Sequence, residues 1–139
     1  MSRPAITPSA LLLLGIGTAQ RCGDAGIKRD AWLIRALVEE LRVSLPSHGP
    51  AAAAASRYWD PQRGVSERAV ARATEELLQS GFLQPVGTGR EAKWIVSPLH
   101  ADTLDELWSV LSKAEQKAVR TSAQRALAIS VAWSKIRCA

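Results

Sequence analysis

Arg68 and Arg72 stand four residues apart in Ser66-Glu67-Arg68-Ala69-Val70-Ala71-Arg72. On a helix that spacing puts both guanidinium groups on one face, a turn apart. Their chemistry is bidentate hydrogen bonding, because the planar fork of arginine matches O6 and N7 of guanine, a contact worth about 1–3 kcal/mol of discrimination between bases. Ser66, Glu67, Ala71 and Glu75 complete the same outward side. Glu67, Glu75 and Glu76 supply an opposing reading, in which ion pairs within the helix occupy both arginines and leave nothing for a ligand. Downstream, Gly87-Thr88-Gly89-Arg90 with Lys93 places a hydroxyl and two cations on a flexible turn, chemistry suited to a phosphate or to the minor groove. Upstream, Arg57, Tyr58 and Arg63 are candidates for contacts to a nucleic-acid backbone, with Tyr58 and Trp59 also suited to filling a core.

Other chemistries find little to work with. Cys22 and Cys138 have no CxxC or Cys/His spacing, and His48 and His100 are isolated, so no metal site and no cofactor are expected. The two cysteines do not make a disulfide scaffold either, which points to a reducing, cytoplasmic setting. There is no nucleophile elbow, phosphate-binding glycine loop or carboxylate pair, and Gly15-Ile16-Gly17 lacks the preceding strand and third glycine of a dinucleotide fingerprint; no enzyme is expected. Eighteen Lys and Arg against thirteen Asp and Glu give a formal charge of +5 and favour a polyanionic partner.

The elements that must position these residues follow from periodicity and punctuation. Thr7-Pro8 reads as an N-cap with proline at the first helical position, opening a helix over 8–21. Arg3 ahead of the apolar run Ala10–Ile16 also has the shape of a signal peptide, but the cap favours a buried helix, and the run is too short for the roughly 20 residues of a membrane span. Asp30 caps an amphipathic helix to Ser44 carrying Ile34, Leu37, Val38 and Leu41, and a loop of two prolines and a glycine follows it. Ala51 to about 57 forms a short helix of high propensity. Ser66 caps a helix over 67–80 with Val70, Ala73 or Thr74, and Leu77 inward; Gly81 ends it. Phe82–Val86 and Ala92–Val96 read as a hairpin. A helix capped by Asp102 or Thr103 runs to about 111, and a last one over 113–136 carries a shallow apolar stripe of Val119, Ala123, Ala126, Leu127, Val131 and Trp133. At 139 residues and 47% hydrophobic, one domain accommodates all of them.

The order of helix, Gly64-Val65-Ser66, helix, Gly81-Phe82-Leu83 and hairpin resembles the winged helix-turn-helix superfamily, in particular bacterial regulators of the MarR, PadR and GntR types. The resemblance covers residues 51–97, roughly a third of the chain. Its link from Tyr58 to Val65 is longer than the superfamily's tight turn. The resemblance implies an α+β, mostly α fold with a winged helix-turn-helix core and extra helices at both ends. It further implies sequence-specific binding of double-stranded DNA by Arg63, Ser66, Arg68, Ala71, Arg72, Thr88, Arg90 and Lys93, without a membrane. Such regulators act as homodimers, usually repressors, with recognition helices about 34 Å apart along the duplex. The terminal helices, 98–139 above all, are the expected dimer contact. The alternative is the same scaffold used as a protein-interaction or DNA-organising module of a replication or segregation assembly.

Overall fold

The structure, a computed structural model, describes residues 6–22, 27–28, 31–89 and 92–138. In chain order it contains α1 (Pro8–Cys22), β1 (Ile27–Lys28), α2 (Ala31–Ser44), and α3 (Pro50–Ala55), which runs into a 3-10 turn (Ser56–Tyr58). There follow β2 (Trp59–Asp60), β3 (Gly64–Val65), α4 (Glu67–Gln79), β4 (Leu83–Val86), β5 (Lys93–Val96), α5 (Ala101–Val110) and α6 (Lys113–Cys138). The chain is α+β and mostly helical. Among the described residues, no helix is long and apolar enough to cross a membrane.

α1 is the axis of the core. Thr7 caps it, its Oγ1 accepting from Ala10 N at 3.1 Å. Every residue from 11 to 19 is buried, as expected of a helix that is apolar on all sides and therefore surrounded. α6, α4, α5, α3 and β5 all pack on it. Its two glycines permit close approaches: a Cβ at Gly17 would lie 2.7 Å from Leu104 Cδ2 of α5, and one at Gly15 3.0 Å from Leu37 Cδ2 of α2. What looks like a defect in helix propensity is a packing device.

α6 lies across α1 and α2, burying Val119, Ala123 and Ala126 completely. This revises the expectation for that stripe. Its small residues serve close helix contact inside the chain, so these three positions are not available to a second copy. One expectation about a helix start also changes. α5 begins a residue earlier than Asp102, with His100 at its cap position and no side-chain cap bond, because a 3-10 turn from Pro98 to His100 feeds directly into the helix. At the start of α6, Ser112 and Glu115 cap each other: Glu115 N donates to Ser112 Oγ at 3.1 Å and Ser112 N donates to Glu115 Oε1 at 2.9 Å. The other oxygen of Glu115 accepts from Ala51 N at 3.1 Å, so a single buried carboxylate serves the first turns of α6 and α3 together.

The hairpin forms as expected, with Leu83 opposite Val96 and Val86 opposite Lys93. It is not alone. β1 pairs antiparallel with β5, Ile27 opposite Trp94, so the sheet order is β1-β5-β4 and β5 is central. A two-residue strand carries no period from which it could be predicted. The long link 58–65 also has regular structure, since Trp59 pairs with Val65 and Asp60 with Gly64 in a miniature ladder. Asp60 closes its turn by accepting from Gln62 N at 2.8 Å, Gly64 takes a φ of +83°, and the Arg42 guanidinium covers the Trp59 ring at 4.1 Å.

Candidate nucleic-acid interface

α4 owes its orientation to one buried edge. Ala73, Thr74 and Leu77 are buried, Ala69, Val70 and Leu78 partly so, and the Ser66 hydroxyl accepts from Ala69 N at 3.3 Å to cap the first turn. The remaining positions, Glu67, Arg68, Ala71, Arg72, Glu75, Glu76 and Gln79, are exposed. The helix therefore presents the side expected from its sequence.

The carboxylates of α4 are held by groups other than its arginines. Glu67 Oε1 lies 3.4 Å from Arg35 Nη1 of α2. Glu75 Oε1 accepts from Gln79 Nε2 at 3.3 Å, and Glu76 Oε2 from Ser9 Oγ of α1 at 3.1 Å. Among the described residues, the side chains of Arg57, Arg63, Arg68 and Arg72 have neither a hydrogen bond nor an ion pair. Ion pairing within the helix, the alternative explanation for Arg68 and Arg72, is absent from this arrangement.

Arg68, Arg72 and Ser66 share a cleft of about 630 Å³ with Arg57 of the 3-10 turn, and its far wall is the start of α1, Thr7 to Ser9. Tyr58 ties the two walls together. It is buried, and its hydroxyl donates to Pro8 O at 2.5 Å. Burial pushes the phenol well above the usual tyrosine range, and the negative charge of Glu76 pushes it the same way. Thr7 and Ser9 enter the site from some fifty residues upstream of Tyr58, and no local signal marks them for it.

The other expected positions lie outside this cleft. Arg63 is exposed at the turn between β2 and β3, and Ala71 is exposed on α4. Thr88 is exposed at the tip of the hairpin, between Gly87 and Gly89 with φ values of +79° and +61°. Lys93 is not at the tip. It is half-buried as the first residue of the central strand, opposite both Val86 and Lys28. Arg90 lies outside the described residues. Among the described residues, no group of three or more His, Cys, Asp and Glu is placed to hold a metal.

No family model, curated protein or solved structure matches the chain. The chemistry of the site therefore rests on its own residues: a capped, outward-facing helix edge with unpaired guanidinium groups, beside a glycine-tipped hairpin.

Proposed function

We propose that the chain is a sequence-specific double-stranded DNA-binding protein of the winged helix-turn-helix kind, acting as a transcriptional regulator, in the repressor role usual for that class. The observation that carries the reading is the division of labour on α4, where three carboxylates are held by other groups while Arg68 and Arg72 face outward without partners. A groove about 12 Å wide admits one helix, and such a helix must bring free donors to the base edges. The element order supports the same reading: α3, the β2–β3 link and α4 precede a hairpin whose central strand also takes up β1. α4 is then the reading helix, and Thr88 at the tip of the wing meets the backbone or the minor groove.

The test is a binding selection on random duplexes with the full chain. An enriched motif is expected. Arg68→Ala and Arg72→Ala should each cost about 1–3 kcal/mol on that motif and relax preference at one position, with a smaller loss on unrelated DNA. Folded variants that bind as tightly and selectively as the parent would refute the assignment of α4. Association with a protein that is insensitive to salt, without any duplex binding, would favour the interaction-module reading instead.

A further inference from the structure

A groove-reading role accounts for Arg68 and Arg72 but gives no use to the concavity beside them, nor to Arg57, which comes from a different element. We infer that this cleft binds a small phosphate compound, and that its occupancy excludes DNA by taking the same two arginines. The exclusion, though not the binding, rests on the DNA reading above.

Three observations carry the inference. First, the cleft is open to solvent and of the right size, since about 630 Å³ falls inside the roughly 300–1,000 Å³ usual for small-molecule sites. Second, its charge is one-sided. Arg57, Arg68 and Arg72 line it against the single carboxylate of Glu76, which already accepts from Ser9. Third, its walls are tied by contacts independent of any ligand, through Tyr58 to Pro8 and Ser9 to Glu76. A preformed site loses little entropy on binding.

Phosphate fits this set better than carboxylate. A phosphomonoester carries about −1.5 to −2 charges near neutral pH and three acceptor oxygens, so it can engage several guanidinium forks together, whereas one carboxylate is satisfied by one fork. The phosphate could be that of a free compound or of the DNA backbone. The inference commits to the free compound, because Arg57 comes from the 3-10 turn and the start of α1 lines the cleft opposite α4, an arrangement that a single groove-reading helix face does not need.

Inorganic pyrophosphate is a suitable probe, titrated into the full chain by calorimetry against sodium chloride of equal ionic strength. Saturable one-to-one binding is expected, weakened at least about tenfold by Arg57→Ala. Arg57→Lys should fall between the two. Arg57 is exposed and without a partner among the described residues, so both variants should melt with the parent. Pyrophosphate should also release the selected duplex from the parent more effectively than chloride does, and lose that advantage in Arg57→Ala. No binding beyond the chloride control overturns the inference while leaving DNA recognition standing. Pyrophosphate binding without any duplex binding refutes the DNA reading and keeps the cleft. If Arg57→Ala weakens the duplex as strongly as Arg68→Ala and pyrophosphate does not bind, the cleft seats a backbone phosphate and the free-ligand inference is wrong.

Discussion

Arginines without partners contribute little to the folded state, and this separates binding from stability at the scale of single residues. Arg68→Ala and Arg72→Ala should leave the thermal midpoint nearly unchanged, within about 0.5 kcal/mol, because neither removes an ion pair or a packed group. Calorimetric melting alongside the duplex assay checks this. Tyr58 is the opposite case. Its phenol is held protonated in the folded chain by burial and by Glu76, while in the unfolded chain it ionises near pH 10. Above that pH the unfolded state binds fewer protons than the folded one, so the stability owed to this group, complete at lower pH, declines as pH rises. Tyr58→Phe should cost about 1 kcal/mol at neutral pH by removing the phenol's hydrogen bond to Pro8 O. It should also flatten the fall in stability between about pH 10 and 11.5 relative to the parent, measured by denaturant unfolding. Equal slopes in the two proteins would show that Tyr58 is not the responsible group.

Among the elements, α3 is the least able to stand alone. It has six residues, five of them alanine, with no side chain capping it from Gly49. Helices this short are marginal without tertiary help, and Glu115 supplies it by accepting from Ala51 N across the molecule. Glu115→Ala removes acceptors from two helix starts at once and is expected to destabilise the chain by about 2–4 kcal/mol in urea denaturation, against about 1 kcal/mol for losing one ordinary cap. A loss below about 1 kcal/mol would mean that water replaces the carboxylate at both ends. In the sheet, Lys93 starts the central strand, opposite Lys28 as well as Val86. Lys93→Ala should weaken binding to many duplexes alike and lower the salt slope by about one, the mark of a lost phosphate contact. An unchanged slope would assign Lys93 to the sheet alone.

At the scale of the whole molecule, the proposed function sets how many chains act together. Val119, Ala123 and Ala126 of α6 are used inside the chain's own core, which removes the middle of the stripe that would have joined two copies. The proposed regulator still needs two reading helices about 34 Å apart to recognise a symmetric operator. We expect sedimentation on a palindromic form of the selected duplex to give two chains per site, adding twice the 15.0 kDa chain mass. One chain per duplex at saturation would make each domain an independent reader, and its motif should then lack two-fold symmetry.

What the sequence determined by itself is the set of features that complete themselves within a turn or two of chain. Thr7-Pro8 opens α1, Ser66 caps α4, Gly81 takes a φ of +79° just past its end, and Leu83–Val86 pairs with Lys93–Val96. Helical period and cap chemistry act over three or four residues, so they can be read without knowing the rest of the fold, and they sufficed to place Arg68 and Arg72 on an exposed edge. The spacing of Ser112 and Glu115 is a signal of the same local kind. Tertiary structure alone decided the rest. β1 is too short to have a pattern, and it exists because β5 offers it an edge. The burial of α6's small residues depends on α1 and α2 lying beneath them. The cleft needs the start of α1 to stand opposite Arg57 and α4, a meeting fixed by the packing of α1 in the core and by Tyr58 reaching Pro8. The same packing sets Ser9 against Glu76 and Arg35 against Glu67, and so decides which charges on α4 are left without partners. Which groups a charged side chain meets depends on distances between segments far apart in the chain, and no local rule contains them.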